Sequence, residues 1–190
     1  QLVSDVPLCT FLSGGLDSSI ITAVAAAAYT EEGRPPLETY SFDYVGNEKY
    51  FHTSAFQPDA DAPYVQKMVD AFHTRHRVLE CDIPSLANLL EEAMAARDLP
   101  GMADVDSSLL YFCRQVARDH VVALSGECAD ELFGGYPWFE REEMLSVPTF
   151  PWCPDLSTRR EVFDRELWKD LEVEDYVQDR YEQSLAACPR

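Results

Sequence analysis

The chain has 190 residues, of which 46% are apolar, enough to bury the core of one ordinary domain. Fifteen basic against 34 acidic residues give a formal charge of −19, which argues against nucleic acid or an anionic membrane as a partner. No apolar run approaches the ~20 residues of a membrane span, and no secretory signal is present. Six cysteines stand singly, with neither C-x-x-C pairs nor zinc spacing, as expected of reduced thiols in a cytosol.

In chain order, the apolar run Leu8–Leu12 reads as a strand and Ile20–Tyr29 as a helix. Between them lies Ser13-Gly14-Gly15-Leu16-Asp17-Ser18-Ser19. A strand that turns through two glycines into a helix is a way to hold phosphate. The glycines let the backbone approach an anion, and the first helical N–H groups point at it. Ser13, Ser18 and Ser19 add hydroxyls, and Asp17 can reach a magnesium ion on the same phosphates. The lysine of the G-x-x-x-x-G-K-[ST] loop is missing, since no lysine precedes Lys49, and G-x-G-x-x-G is absent too. What is left suits a grip on pyrophosphate and cleavage between the α- and β-phosphates. A serine-capped Gly-Gly turn with no ligand is the alternative.

Thr39–Tyr44 reads as the second strand. Residues 46–63, with Phe51, Phe56 and two prolines, form a long connection able to act as a lid. Tyr64–His73 carries Val65, Met68, Val69 and Phe72 at helical spacing, and Arg77–Cys81 reads as a third strand. Leu86–Arg97 and Ser107–Arg118 read as helices, with Asp106 or Ser107 expected to cap the second. His120–Leu124 reads as a strand, buried over Val121–Leu124. It leads into Ser125-Gly126-Glu127-Cys128-Ala129-Asp130-Glu131-Leu132-Phe133-Gly134-Gly135-Tyr136. Three carboxylates in five positions directly after a strand are costly unless a cation or a helix N-terminus is near. An acidic first helical turn is the plain reading; with the first loop, the segment reads as the other wall of a nucleotide site. Residues 137–154 form an irregular aromatic stretch with Trp138 and Trp152, and 155–188 read as amphipathic helices.

This alternation predicts an α/β fold: a twisted parallel sheet with helices on both faces, followed by a mostly helical tail. Both motifs then sit at the carboxyl ends of strands, where such sheets bind ligands. The expected division is a core over 1–140 and a tail over 141–190, within one domain.

The two motifs together resemble the synthetase domain of glutamine-dependent asparagine synthetases, in the ATP-pyrophosphatase (PP-loop) superfamily. The family patterns are S-G-G-L-D-S-S and S-G-E-G-A-D-E-[LV]-F-G-G-Y. The chain departs from them only at Cys128, where the family has glycine. If that glycine adopts a backbone angle reserved for glycine, Cys128 distorts or reshapes the turn. The resemblance implies that Leu12, Ser13, Gly14, Gly15, Asp17 and Ser18 contact ATP, with Asp17 and Asp130 holding Mg2+. It places Ser125 and Gly126 beside the ribose and α-phosphate, and Glu127 where aspartate and ammonia meet. Tyr44, at the end of the second strand, would read the adenine edge through its backbone. A substrate role for Asp104 or Asp106 is also open, because the corresponding loop of the family lies near the site.

The implied reaction adenylates the β-carboxylate of aspartate, releases pyrophosphate, and lets ammonia displace AMP. The implied partners are aspartate, ammonia and a glutaminase domain absent from these residues; a homodimer is left open. The sequence is accordingly expected to be a cytoplasmic piece of a larger ligase, inactive or nearly so by itself. Two alternatives share the scaffold: a β-lactam synthetase or lasso-peptide cyclase type of enzyme, and a nucleotide-binding module without catalysis.

Overall fold

Along β1 (Leu8–Phe11), alternate side chains serve two different apolar layers. Leu8 joins Ala25, Ala26, Tyr29 and Leu37 on one face of the sheet, while Cys9 joins Tyr40 and Val116 on the other. A strand that is apolar on both faces has to lie inside a sheet covered by helices on each side. The structure, a computed structural model, describes residues 2–53, 59–99 and 101–189, apart from the Asp104 side chain. It divides into two compact units, Gln1–Cys128 and Ala129–Arg190. The unit boundary therefore falls inside the second motif, twelve residues before the expected division at 140.

In the first unit, β1 pairs in parallel with β2 (Glu38–Tyr44) and β4 (Val122–Leu124), and β2 pairs with β3 (Arg75–Cys81). The strand order is β3-β2-β1-β4, with Cys9 opposite Glu38 and Ala123, and Tyr44 opposite Cys81. The helix α1 (Leu16–Glu31) covers one face, and α5 (Ala103–Val116) brings Phe112 and Val116 to the other. A buried hydroxyl pair, Thr10 Oγ1 to Thr22 Oγ1 at 2.9 Å, fixes α1 on β1. Burial, with Glu38 nearby, pushes the Cys9 thiol up to about 12, so it stays protonated.

Three helices begin three or four residues earlier than the apolar periodicity predicts. The first, α1, starts at Leu16 rather than Ile20. The second, α4 (Ile83–Arg97), starts three residues early because Asp82 accepts the Ser85 N–H at 2.7 Å and Pro84 needs no partner there. The third, α5, starts at Ala103, which corrects the expected capping role of Asp106 and Ser107. Both lie within its first turns: the Asp106 N–H donates to Met102, and Ser107 Oγ donates back to the Ala103 carbonyl. Asp106 is buried and pairs with Arg97. The predicted buried strand at Val121–Leu124 is also corrected: β4 is a half-buried edge among the described residues, and Val121 is 74% exposed. The connection after β2 contains α2 (Asn47–Tyr50) and leads to α3 (Ala62–Phe72). Its proposed lid role falls partly on residues 54–58, outside the described residues.

The second unit contains α6 (Ala129–Phe133), a 3₁₀ turn at Pro137–Phe139, α7 (Glu142–Leu145), α8 (Ser157–Val162), α9 (Arg165–Asp170) and α10 (Val173–Ala187). Its aromatic residues pack on each other: Tyr136 stacks on Trp138 at 4.3 Å and Phe150 on Trp152 at 4.9 Å, with Tyr181 edge-on to Phe150. Trp168 is buried, and its indole N–H donates to Glu174 at 2.7 Å. Asp164 caps α9 by accepting the Glu166 and Leu167 N–H groups.

His76 on β3 bridges two hydroxyls of β2, with Nδ1 2.8 Å from Thr39 Oγ1 and Nε2 3.0 Å from Ser41 Oγ. Burial lowers its affinity for a proton below the ordinary value of 6.5. Below that pH the unfolded chain binds the proton that the folded chain resists, so the contribution of His76 to stability is complete above 6.5 and is lost as pH falls. The stability advantage of the native chain over His76→Gln is therefore expected to be constant above neutrality and to shrink on acidification. Denaturant titrations across pH 5–8 read this directly.

Candidate functional site

The turn after β1 is held by its own serines. Ser18 Oγ donates to the Gly15 carbonyl at 3.2 Å, accepts the Ser13 N–H at 3.2 Å and lies 2.9 Å from Ser13 Oγ. A hydroxyl has one proton, so with Ser18 donating to Gly15 it is Ser13 that donates to Ser18. Ser13 Oγ in turn accepts the Gly15 N–H at 3.4 Å. The two hydroxyls thus shape the loop from within. The donors left without a helical partner are backbone ones, among them the amides of Leu16 and Asp17, which precede the first intrahelical donor. The first helical bond runs from the Ser19 N–H to the Gly15 carbonyl at 3.1 Å. Leu12 is buried, with its N–H continuing the sheet to the Tyr40 carbonyl at 2.8 Å, so only its backbone can meet a ligand.

Two close approaches fix the walls of this loop. Gly14 has a left-handed φ of 84°, and a side chain there would meet the Asp61 carbonyl at 2.9 Å and Tyr64 at 3.0 Å. The start of α3 is therefore part of the loop's surroundings. No local pattern announces this, because the contact joins residues some fifty positions apart. At the end of β4, Gly126 lies against the first turn of α1. A Cβ at Gly126 would stand 2.8 Å from the Ser18 nitrogen and 3.0 Å from Asp17 Cβ. The backbones of the two motifs meet there with no room for a methyl group.

The remaining residues of the reading distribute as follows. Ser125 and Glu127 flank Gly126 on an exposed turn, in which the Glu127 N–H donates to Ser125 Oγ at 3.1 Å. Tyr44 ends β2 on the same carboxyl edge of the sheet, edge-on to Phe112. Its N–H is taken by Asp43 Oδ1 at 2.8 Å, which leaves its carbonyl as the backbone group able to meet a base. Asp130 belongs to the second unit. Its carbonyl accepts the Gly134 and Gly135 N–H groups at 2.9 and 3.1 Å, and its carboxylate occupies the space that a side chain at Gly135 would need. Asp106 is held by Arg97 instead of facing a ligand as a free carboxylate.

Cys128 takes the left-handed conformation, with φ at 70°. The turn is therefore retained and strained rather than reshaped. An L-residue in that region costs about 1–2 kcal/mol.

Neither motif has a cation of its own, since no lysine or arginine occurs in 1–33 or 119–140. An anion bound here has to be met by backbone amides, the start of α1 and a divalent cation. The residues fit such a ligand: a two-glycine cradle with helix-start amides, an acidic residue in the adjoining turn, and no side chain at the point of closest approach. Among the described residues no three His, Cys, Asp or Glu side chains gather into a ready-made metal cluster. Magnesium bound mainly through substrate phosphates and one or two carboxylates needs none.

The asparagine synthase family profile matches residues 1–190. The chain is 54% identical over 189 residues to asparagine synthetase [glutamine-hydrolyzing] 3 of Bacillus subtilis, covering all of this chain and 30% of that protein. It is 37% identical over 152 residues to asparagine synthetase [glutamine-hydrolyzing] 1 of the same organism, covering 80% of this chain and 21% of the relative. With the asparagine synthetase [glutamine-hydrolyzing] of Zea mays it shares 28% over 144 residues, 74% of this chain and 23% of that protein. The chain thus spans less than a third of the length of these relatives.

Paired substitutions test the geometry of the second motif. Gly126→Ala is expected to destabilise by about 1–3 kcal/mol, because its methyl group meets Asp17 and the Ser18 nitrogen in the first turn of α1. Cys128→Gly, two residues on, is expected to stabilise by about 1 kcal/mol through release of the left-handed strain. Denaturant midpoints moving in opposite directions at unchanged slope are the expected result.

Proposed function

The chain belongs to the asparagine synthase family, and on that premise we propose that it is the nucleotide-binding part of a glutamine-hydrolysing asparagine synthetase. The reaction is the ATP-dependent conversion of aspartate to asparagine. The β-carboxylate of aspartate attacks the α-phosphorus of ATP, pyrophosphate leaves, and ammonia then displaces AMP from the activated carboxyl. The observation that carries this reading is the seating of Gly126 against Asp17 and Ser18, which joins the two motifs into one wall at the carboxyl edge of the sheet. Whole-chain identity to a glutamine-hydrolysing asparagine synthetase favours this acceptor chemistry over a β-lactam or lasso-peptide product.

In this reading each residue has a physical task. The Leu16 and Asp17 amides hold the pyrophosphate oxygens, and the Ser13–Ser18 hydroxyl pair keeps those amides aimed. Gly126 lets the α-phosphate and ribose approach the backbone, with Ser125 beside them. Tyr44 offers its carbonyl to the adenine edge. Asp17 and Asp130 would hold Mg2+, which neutralises charge on the departing pyrophosphate. Glu127, exposed and next to Gly126, is placed to contact a cation: the ammonium group of aspartate or incoming ammonia. A glutaminase domain elsewhere in the full-length protein would supply that ammonia. No helix among the described residues is long and apolar enough to cross a membrane, and we assign the enzyme to the cytoplasm.

Two measurements on the full-length enzyme test the assignment. Asp17→Asn is expected to weaken Mg-ATP binding by about 10- to 100-fold, as for a lost charge-assisted contact, while changing metal-free ATP binding little. Equal losses for both ligands in titration calorimetry would rule out a metal role. Glu127→Gln is expected to leave ATP binding and Tm nearly unchanged and to slow amide formation about 100-fold or more. A lower Tm with normal turnover per folded molecule would make Glu127 a structural residue instead.

A further inference from the structure

The helix α1 is apolar on two opposite sides. Its inner side places Ser18, Thr22, Ala25, Ala26 and Tyr29 against the sheet, all buried. At about 100° per residue, Leu16, Ile20, Val24 and Ala27 fall on the far side. That far side is open: Leu16 is 74% exposed, Ile20 53% and Val24 60%, and Ala27 is exposed as well. An amphipathic surface helix carries charge on its outer face, whereas a helix apolar all round is a buried one. Three large aliphatic side chains in one row over a span of about 12 Å, at the helix that starts in the phosphate loop, call for a cover.

We infer that this row is the seat of an apolar segment of the full-length protein lying outside these 190 residues. The inference rests on the family membership and not on the proposed chemistry. Three observations select that occupant. The matching B. subtilis relative is more than three times as long, so most of such a protein is outside the described chain. A second copy would bring a further 190 residues of formal charge −19 against the first, which opposes self-association. A lipid surface is disfavoured because the helix has no basic rim: the first lysine or arginine of the chain is Arg34. A segment tethered in the same chain carries neither penalty and docks at high effective concentration. Once docked, it would hold Leu16 and with it the helix-start amides of the loop.

The test places the photo-reactive residue p-benzoylphenylalanine at position 24 of the full-length protein and maps the cross-linked peptide by mass spectrometry. The expected product is a monomer in which residue 24 is joined to a peptide outside residues 1–190. Cross-links to residues 129–190, cross-links between two copies, or no cross-link would each overturn the inference. A milder variant keeps the test open if that residue perturbs folding. In full-length Ala27→Cys, thiol labelling at position 27 is expected to be about 100-fold slower than in the urea-unfolded protein, independent of protein concentration, as for a site that reacts only on local opening. Labelling within about threefold of the unfolded rate, or protection that disappears on dilution, would overturn it. Neither readout depends on catalysis, so failure here and failure of the proposed reaction are distinguishable.

Discussion

The close passage of Gly126 across the first turn of α1 is the constraint on which the site depends. With only 2.8 Å between an added Cβ and the Ser18 nitrogen, the two strand ends approach as closely as backbones can. That approach requires β1 and β4 to be neighbours in the sheet, which the register of Leu8 with Val122 and Cys9 with Ala123 provides. It also requires α1 to begin immediately after the turn, where the Ser13–Ser18 hydroxyl pair and the Thr10–Thr22 pair lock it to β1. A sheet slip of one residue would turn Cys9 and Thr10 to the wrong layers and part the two motifs.

The electrostatics follow from what these motifs lack. A chain with a net charge of −19 and no basic residue in either motif cannot attract a nucleotide by its overall field. In the proposed reaction binding would fall to fixed backbone dipoles and a divalent cation, both of which act at short range and specify geometry. Acidic residues beside a phosphate site are then useful rather than anomalous. In the proposed reaction Asp17 would share a metal with the ligand, and Glu127 would meet a substrate cation. The strain at Cys128 belongs to the same turn. A left-handed angle at a non-glycine residue persists only where the rest of the fold offsets its cost.

The two units differ in how they are held together. The first is a sheet with an apolar layer on each face, and its polar groups are paired across strands, as with His76 between Thr39 and Ser41. The second has no strand among its described residues; stacked aromatics and the buried Trp168 take the place of a sheet. Several apolar residues of α9 and α10, such as Leu167 and Tyr176, remain exposed in it.

Much was legible in the sequence because it depends on neighbours in the chain. The apolar run of β1, the glycine turn after it, and the acidic motif after the last strand are local patterns, and they carry the fold class and the family. The helix starts at Leu16, Ile83 and Ala103 lie three or four residues before the apolar spacing begins. Apolar spacing reports packing, whereas capping and proline chemistry set the boundary. Only the tertiary structure decided that β4 is a half-buried edge strand among the described residues, that Asp106 is tied to Arg97, and that the start of α3 walls the Ser13–Ser19 loop. Each of these depends on which distant segments are brought together. That is set by strand order and crossover, which one-dimensional periodicity does not encode.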